Sequence, residues 1–347
     1  MPDPEFPLHY KRGLHLPELG LWLDPSQKVR QAFVSHAHAD HARAHQTVIA
    51  TPQTLALMQA RNLKAKNTLA LPYGQALDLK GGRIELFPAG HVLGSAQIRV
   101  ETKSGSLIYT GDFKTRSGLS CETAETRSAD VLVMETTFGL PRYRFPEAEA
   151  VHADILAFCR DALAADCVPI LMGYSLGKAQ EILAVLRGQS FNIAVHESIA
   201  RICDVYRFYG IEFPPFGRLR DQDLEGCVVV VPPNAERKQL LSRIERPRTA
   251  VVTGWGLDPS ARFRYGCDAV FPLSDHADYD ELFRFVEAVN PKRVYTLHGS
   301  AEAFAQDLRA KGIEAWSLIS NNQLELDFTA DGRGAHPLPA ATPNRLP

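Results

Sequence analysis

The stretch FVSHAHADHARAH, residues 33–45, places three histidines and an aspartate within six positions, directly after a short apolar run. Extended side chains alternate in direction, so His36 and His38 can point the same way and share one metal ion. Asp40 and His41 follow on the turn and can serve a second ion. The alternative is a histidine-rich surface loop, but such a string after a strand is far more typical of a metal site.

Further candidate ligands follow other predicted strands. His91 comes after IELFPAG, Asp112 after LIYTG and His298 after RVYTL. Two metal ions that lie about 3.5–4 Å apart need a bridging anion, and Asp112 is the natural candidate. Taken singly, His91 and His298 could instead be hydrogen-bonded structural histidines.

The complete set predicts two divalent ions, and nitrogen and carboxylate ligands together suit zinc or manganese. The predicted ligands are His36, His38 and His91 for one ion, Asp40, His41 and His298 for the other, and Asp112 between them. Asp24, in GLWLDPS, is interpreted as an outer carboxylate that holds the histidine loop, because such groups fix ligand orientation. A helix or turn cap is the alternative for Asp24.

Composition limits the class of protein. The chain of 347 residues is long enough for two domains, or for one large fold with an insertion. No apolar run reaches the roughly 18 residues that a membrane span needs, and the N-terminal MPDPEFPLHYKRG shows no export signal. The six cysteines form no CxxC pair, which argues against a disulfide framework and a zinc ribbon. We therefore expect a cytoplasmic protein without membrane contact.

The formal net charge of −2 lacks the basic excess of a protein that coats nucleic acid. Any contact with nucleic acid would have to come from a local groove.

Short apolar runs and one helix, capped by Thr51, predict a β-rich module in residues 1–140. An alternation of helices and strands then predicts a small, mostly parallel sheet in an inserted domain, residues 141–265. Strand-then-histidine units return in 266–330 and complete the first module. The Pro- and Ala-rich residues 331–347 predict a flexible tail.

The predicted ligands resemble those of the metallo-β-lactamase fold, an αββα sandwich that collects metal ligands from loops at one edge of two sheets. AGHVLGSAQ and YTGDFKTR are similar to the β-CASP nucleases of that superfamily. Three further motifs of the group occur in order: Glu135 in METTFG, His276 in SDHADY and His298 in LHGS. The resemblance implies an α/β fold, the αββα sandwich with a smaller inserted α/β domain.

Within the group, VLVMETTFGLPRYRFP, GYSLGKAQE, VVTGWG and FPLSDHADYDELFRFV are similar to DNA crosslink-repair nucleases related to Artemis. Those enzymes usually lack the last histidine, whereas this chain retains His298, as RNA-processing members do. The mixture looks most like the bacterial ligase-associated DNA exonucleases. The resemblance implies DNA as the substrate and a DNA ligase or helicase as repair partners.

The implied reaction is phosphodiester hydrolysis. His276 could protonate the leaving oxygen, and Glu135 could orient the imidazole and keep it basic enough to be charged. Asp40 counts among the expected catalytic residues as well as among the ligands. A solvated carboxylate at a strand end is the alternative for Glu135.

MGYSLGK reads as strand, turn and helix start, so backbone N–H groups near Ser175 could bind a phosphate, with Lys178 adding charge. Thr253, at the end of a neighbouring strand, could complete the pocket. An ordinary capped helix followed by a surface lysine is the alternative.

These inferences favour a metal-dependent DNA nuclease with a repair role, acting as a 5′-to-3′ exonuclease on single-stranded DNA. An RNA-processing nuclease and a non-catalytic nucleic-acid scaffold are the alternatives. A small-molecule hydrolase would share the first ligands but would not need the insertion or the SDHADY motif.

Overall fold

The computed structural model describes residues 6–221, 223–233 and 237–319; the tail predicted at 331–347 lies outside them. The strands are β1 His9–Tyr10, β2 Leu14–Leu16, β3 Leu21–Leu23, β4 Gln31–Phe33, β5 Thr47–Ala50, β6 Asn67–Ala70, β7 Ala76–Leu79, β8 Gly82–Pro88, β9 Ala96–Thr102, β10 Gly105–Tyr109, β11 Val131–Glu135, β12 Val168–Met172, β13 Asn192–Val195, β14 Gly217–Arg218, β15 Cys227–Val231, β16 Pro247–Val252, β17 Ala269–Phe271, β18 Arg293–Leu297 and β19 Ala315–Ser317. The α-helices are α1 Pro52–Ala60, α2 Ala148–Ala164, α3 Lys178–Val185, α4 Glu197–Phe208, α5 Arg237–Leu241, α6 Ala261–Tyr265, α7 Tyr279–Val289 and α8 Ala301–Ala310, and a short 3₁₀ helix spans Gly254–Leu257.

Two sheets face each other and share one core. The first has the order β1-β2-β3-β4-β5-β6 and the second β19-β18-β11-β10-β9-β8-β7. Phe33 and Ile49 of the first sheet pack with Ile98 and Val133 of the second. Alternation along each strand sends one set of apolar side chains into this shared core and the other outward.

Helices cover both outer faces of this pair of sheets. Helix α1 lies over the first sheet, where Leu57 packs with Val48. Helices α7 and α8 lie over the second, where Phe285 and Phe304 pack with Leu132. The layers therefore run helix, sheet, sheet, helix, and the predicted αββα sandwich is confirmed.

The third sheet, β14-β13-β15-β12-β16-β17, is parallel throughout. Helices α2, α3 and α4 cover one face. The other face packs Leu219, Leu240 and Ile244 against Val229 and Val251. This additional α/β unit agrees with the predicted fold class, since parallel strands need helical crossovers. Its last strand ends at Phe271, beyond the boundary predicted at residue 265, and the domain limits stay predictions.

Helix α4 contributes to both units. Its residues Ile199 and Cys203 belong to the core beneath the third sheet, whereas Ile202 and Tyr206 pack in the cluster that contains α1. The fully buried Tyr206 hydroxyl also accepts a hydrogen bond from Leu93 N at 3.3 Å. The third-sheet unit is thus packed firmly against the sandwich beside the loop that carries His91.

All six cysteines are free thiols. Among the described residues, no helix combines the length and the apolar character required to cross a lipid bilayer.

Candidate metal centre

The candidate ligands project from loops that follow strand ends on one edge of the sandwich. His36 follows β4, His91 follows β8 and Asp112 follows β10. Gly111, with φ of 55°, brings the backbone close to the histidine loop, and a Cβ on it would lie 2.6 Å from the Ser35 side chain. Only glycine allows this approach, so Asp112 reaches the histidines because residue 111 has no side chain.

The first predicted ligand set is brought together. The ligand atoms of His36, His38, His91 and Asp112 all lie within 4.8 Å of one another. Asp112 Oδ2 lies 3.5 Å from His36 Nε2 and 3.8 Å from His91 Nε2. Three of the four residues are buried and His38 is half-buried, so the set forms a compact, largely dry cluster.

The second predicted set is adjacent and more open. His41 Nε2 lies 3.4 Å from Asp112 Oδ2 and 3.7 Å from Asp40 Oδ2. The His298 ring centroid is 5.6 Å from that of His41. The Asp40 side chain is 74% exposed, and His298 is exposed as well. Asp112 contacts members of both sets, as the bridging hypothesis requires.

The hydrogen bonds of His36 show that one of its nitrogens is left for a metal. The Ser35 hydroxyl donates to Asp24, so it can only accept from His36 Nδ1–H at 2.9 Å. His36 Nε2 then carries a lone pair, is buried, and has no hydrogen-bond partner among the described residues. A buried acceptor without a partner is costly, and a cation at this position would satisfy it.

The hydrogen bonds of His38 and His91 likewise leave one nitrogen of each ring for a metal. His38 Nε2 bonds to the Leu176 carbonyl at 3.1 Å, and His91 Nδ1 bonds to the Asp275 carbonyl at 2.8 Å. Carbonyl oxygens only accept, so both ring nitrogens must donate. His38 Nδ1 and His91 Nε2 therefore face each other with lone pairs at 3.0 Å. That contact needs a cation between the two atoms, and the residues fit a metal ion.

The electrostatics agree with this arrangement at His36 and His91. Burial lowers the pKa of His91 to about 3, and the neighbouring His276 acts in the same direction. Burial also lowers the pKa of His36 well below its usual value. Metal ligands must be neutral imidazoles, so both rings are in the required state at neutral pH. At His41 burial acts in the same direction, but the carboxylates of Asp112 and Asp40 outweigh it and raise the pKa well above its usual value.

Asp24 lies where an orienting carboxylate was predicted. Its Oδ1 accepts from Ser35 N at 2.8 Å. Its Oδ2 accepts from His41 Nδ1 at 2.8 Å and from the Tyr109 hydroxyl at 2.9 Å. Since Asp24 binds the outer nitrogen of His41, the inner nitrogen is directed towards Asp112.

The half-buried His276 and the buried Glu135 form a hydrogen-bonded pair beside this cluster. His276 Nδ1 donates to Glu135 Oε1 at 2.8 Å, and the same oxygen accepts from Phe113 N at 2.9 Å. Glu135 is 2% exposed, so the alternative of a solvated carboxylate is wrong. Burial disfavours the charged imidazole, but Glu135 outweighs it and raises the pKa of His276 to about 10. The His276 ring lies 4.6 Å from the His91 ring.

The residues predicted to bind phosphate have other partners. Lys178 is 2% exposed, and its ammonium pairs with Asp275 at 3.3 Å. Lys178 is therefore neither part of an open cationic pocket nor a surface lysine, so both interpretations of this residue are wrong. Its charge is already neutralised in the interior. Ser175 Oγ bonds Ser198 Oγ at 2.9 Å, and Thr253 Oγ1 caps the 3₁₀ helix at the N–H of Trp255. Phosphate binding by Ser175 and Thr253 stays a prediction.

Asp275 is a site residue that sequence reasoning missed. It lies within SDHADY, next to His276, but no local pattern shows that its carbonyl meets His91 or that its carboxylate meets Lys178. The Leu176 carbonyl was missed for the same reason. It is 138 residues from its partner His38, and main-chain acceptors leave no signature in side-chain identity.

Residues 269–318 match the family model described as the Zn-dependent metallo-hydrolase RNA specificity domain, RMMBL. A protein of Opitutus terrae named "Probable DNA ligase" is 48% identical over 319 residues, which is 91% of this chain and 31% of that protein. The DNA cross-link repair protein SNM1 of Arabidopsis thaliana is 23% identical over 314 residues, which is 82% of this chain and 64% of that protein. The chain thus spans about a third of the first relative and less than two thirds of the second.

A solved structure of a protein of unknown function from Enterococcus faecalis is similar in fold, with a TM-score of 0.55 and 12% identity. The match covers 78% of this chain and 77% of that one. The layered architecture, the RMMBL segment and the DNA-repair relative agree with one another. These findings are consistent with a β-CASP nuclease of the metallo-β-lactamase fold.

Proposed function

We propose that this chain is a metal-dependent DNA nuclease, a 5′-to-3′ exonuclease on single-stranded DNA with a role in repair. The observation that carries the proposal is the convergence of inner imidazole nitrogens on Asp112, each ring held by an outer hydrogen bond. Such a donor set suits zinc or manganese. Divalent ions there would supply an activated water and neutralise charge on the phosphodiester.

The proposed ligands are those of the two predicted sets, and Asp112 would serve both because it contacts His36 on one side and His41 on the other. Asp40 would act at the open side of the cluster, where its exposed carboxylate is accessible to substrate.

His276 is the proposed general acid. Its Nδ1–H is committed to Glu135, so Nε2 is the nitrogen that can pass a proton to the leaving oxygen. Glu135 holds the ring in place through a short bond and stabilises the imidazolium.

DNA is the favoured substrate because the SNM1 relative is named for DNA cross-link repair and the Opitutus relative is named a probable DNA ligase. Action beside a DNA ligase or helicase during repair follows as part of the proposal. Six free thiols fit a reducing compartment such as the cytoplasm.

An RNA-processing nuclease is the second candidate. The matched segment is described as an RNA specificity domain, and it contains His298, which this chain retains. The same cluster could hydrolyse either backbone, so the choice depends on substrate contacts rather than on the ligands.

The deciding experiment incubates end-labelled DNA and RNA of matched sequence with the protein and zinc, manganese or magnesium. We expect degradation of DNA from its 5′ end with zinc or manganese, and little degradation of RNA. Asp112→Ala is the control for contaminating nucleases and should be inactive on both. Faster cleavage of RNA under every condition would move the conclusion to the second candidate.

A further inference from the structure

The four buried or half-buried imidazoles of the cluster take their outer hydrogen bonds from two different parts of the molecule. Asp24 and Ser35, both in the sandwich, hold His41 and His36. His38 and His91 instead bond to main-chain carbonyls far along the chain. The elements that carry these two carbonyls therefore orient His38 and His91.

The acceptor for His38 belongs to the third-sheet unit. Leu176 lies in the turn between β12 and α3, and this turn lies against the loop that follows His91. Gly177, with φ of 87°, marks the closest approach, since a Cβ there would meet Val92 Cγ1 at 2.4 Å. The turn is therefore in direct contact with the ligand loops, and a side chain at residue 177 would push it away.

The acceptor for His91 is held by Lys178, the residue after Gly177 and the first of helix α3. Lys178 Nζ donates to the Leu273 carbonyl at 2.7 Å and pairs with Asp275 Oδ1 at 3.3 Å. These contacts fix the segment 273–275, whose last carbonyl accepts the His91 Nδ1–H. One buried ammonium thus connects the start of α3 to the outer side of His91.

We propose that the segment 174–178 is a positioning element for the metal centre, with Lys178 as its central positioning residue. Through the Leu176 carbonyl and the Lys178–Asp275 pair, it directs His38 Nδ1 and His91 Nε2 towards Asp112. Metal affinity at the first site therefore depends on the docking of the third-sheet unit. This inference rests on the metal-binding part of the proposed function and is independent of the choice between DNA and RNA.

The test compares Zn²⁺ binding by Lys178→Met, Lys178→Arg and the unaltered protein, using a competing chelator and no nucleic acid. Lys178→Met should weaken the binding of one equivalent of Zn²⁺ by up to about 10–100-fold, the range for losing an outer partner of a ligand outright. The binding of the other equivalent should stay unchanged. Lys178→Arg retains the charge and should recover most of the affinity. Lys292→Met is the matched control, since that lysine pairs with Asp130 at an exposed position.

A second readout follows the imidazole N–H protons of His38 and His91 by nuclear magnetic resonance in the zinc-loaded protein. We expect slow solvent exchange in the unaltered protein and faster exchange in Lys178→Met. A folded Lys178→Met with unchanged Zn²⁺ affinity and unchanged exchange would overturn the inference. Should Lys178→Met fail to fold, Asp275→Asn replaces it, because it retains the carbonyl and removes the charge that pairs with Lys178. Since the Asp275 carboxylate also lies near His91 and His276, the deciding outcome there is unchanged Zn²⁺ affinity, which would refute the proposal equally. Failure of the nuclease assay alone would affect neither readout.

Discussion

His276 combines two properties that suit the proposed general acid, a carboxylate partner that favours the charged ring and a nitrogen that this partner leaves free. The Glu135 carboxylate supplies the first by raising the pKa of His276 to about 10 against the effect of burial. The bond from Nδ1 supplies the second, because it leaves Nε2 uncommitted to Glu135.

We expect His276→Ala to slow DNA cleavage by roughly 10²–10⁴-fold, the usual contribution of a positioned acid. Bound metal, measured by elemental analysis, should be unchanged. A nitrophenyl phosphodiester, whose leaving group needs no proton, should lose much less activity. Equal losses on both substrates would show that His276 acts on structure or binding instead.

Helix α1 depends on a hydroxyl at its first turn. Thr51 Oγ1 accepts from Thr54 N at 3.1 Å and donates to the Gly94 carbonyl at 2.7 Å. The same atom thus caps the helix and connects it to the loop that carries His91. Pro52 at the first helical position adds a backbone angle that already suits the helix.

Thr51→Val retains the shape and removes both hydrogen bonds, so it should lower the free energy of unfolding by about 1–2 kcal/mol. Urea unfolding measures this loss. Thr51→Ser retains the hydroxyl and serves as the control, with a smaller expected loss. Equal stability of the Val variant and the unaltered protein would show that water replaces the cap at no cost.

The contact between the sandwich and the third-sheet unit surrounds the metal centre. Phe138 lies 6.0 Å from the His276 ring and 4.8 Å from Trp255, in the 3₁₀ helix that follows β16. Helix α4 and the segment 174–178 lie on another side of the metal centre, so residues of both units surround the same site. The candidate metal centre therefore lies at the contact between the two units.

We expect cleavage to begin at a 5′ end and to prefer a 5′-phosphate on single-stranded DNA. A terminal phosphate carries more charge than an internal diester. One additional charge-assisted hydrogen bond to it, at roughly 1.5 kcal/mol or more, would favour binding of the phosphorylated end by about tenfold. Rates on 5′-phosphate, 5′-hydroxyl and closed circular strands test this, and rising salt should reduce the preference. Circles cut as fast as 5′-phosphorylated strands would indicate an endonuclease.

Ser175→Ala and Thr253→Val separate the proposed phosphate contacts from the chemistry. Both side chains already have protein partners, Ser198 and the N–H of Trp255. Loss of the 5′-phosphate preference with retained cleavage would support them as phosphate ligands. An unchanged preference would assign their hydroxyls to structure alone.

Local pattern was sufficient for strands such as β4, β8, β9, β10 and β11, for helix α1 with its Thr51 cap and for the parallel third sheet, and it supplied the candidate ligands as a prediction. These features repeat with the period of the backbone or occur as contiguous strings, so neighbouring residues carry the information. Tertiary structure alone decided that Lys178 is a buried partner of Asp275 and that Leu176 and Asp275 orient two of the histidines. Charge in a sequence does not reveal burial, and a carbonyl is present at every residue. Which one meets a histidine depends on how the third-sheet unit packs against the sandwich.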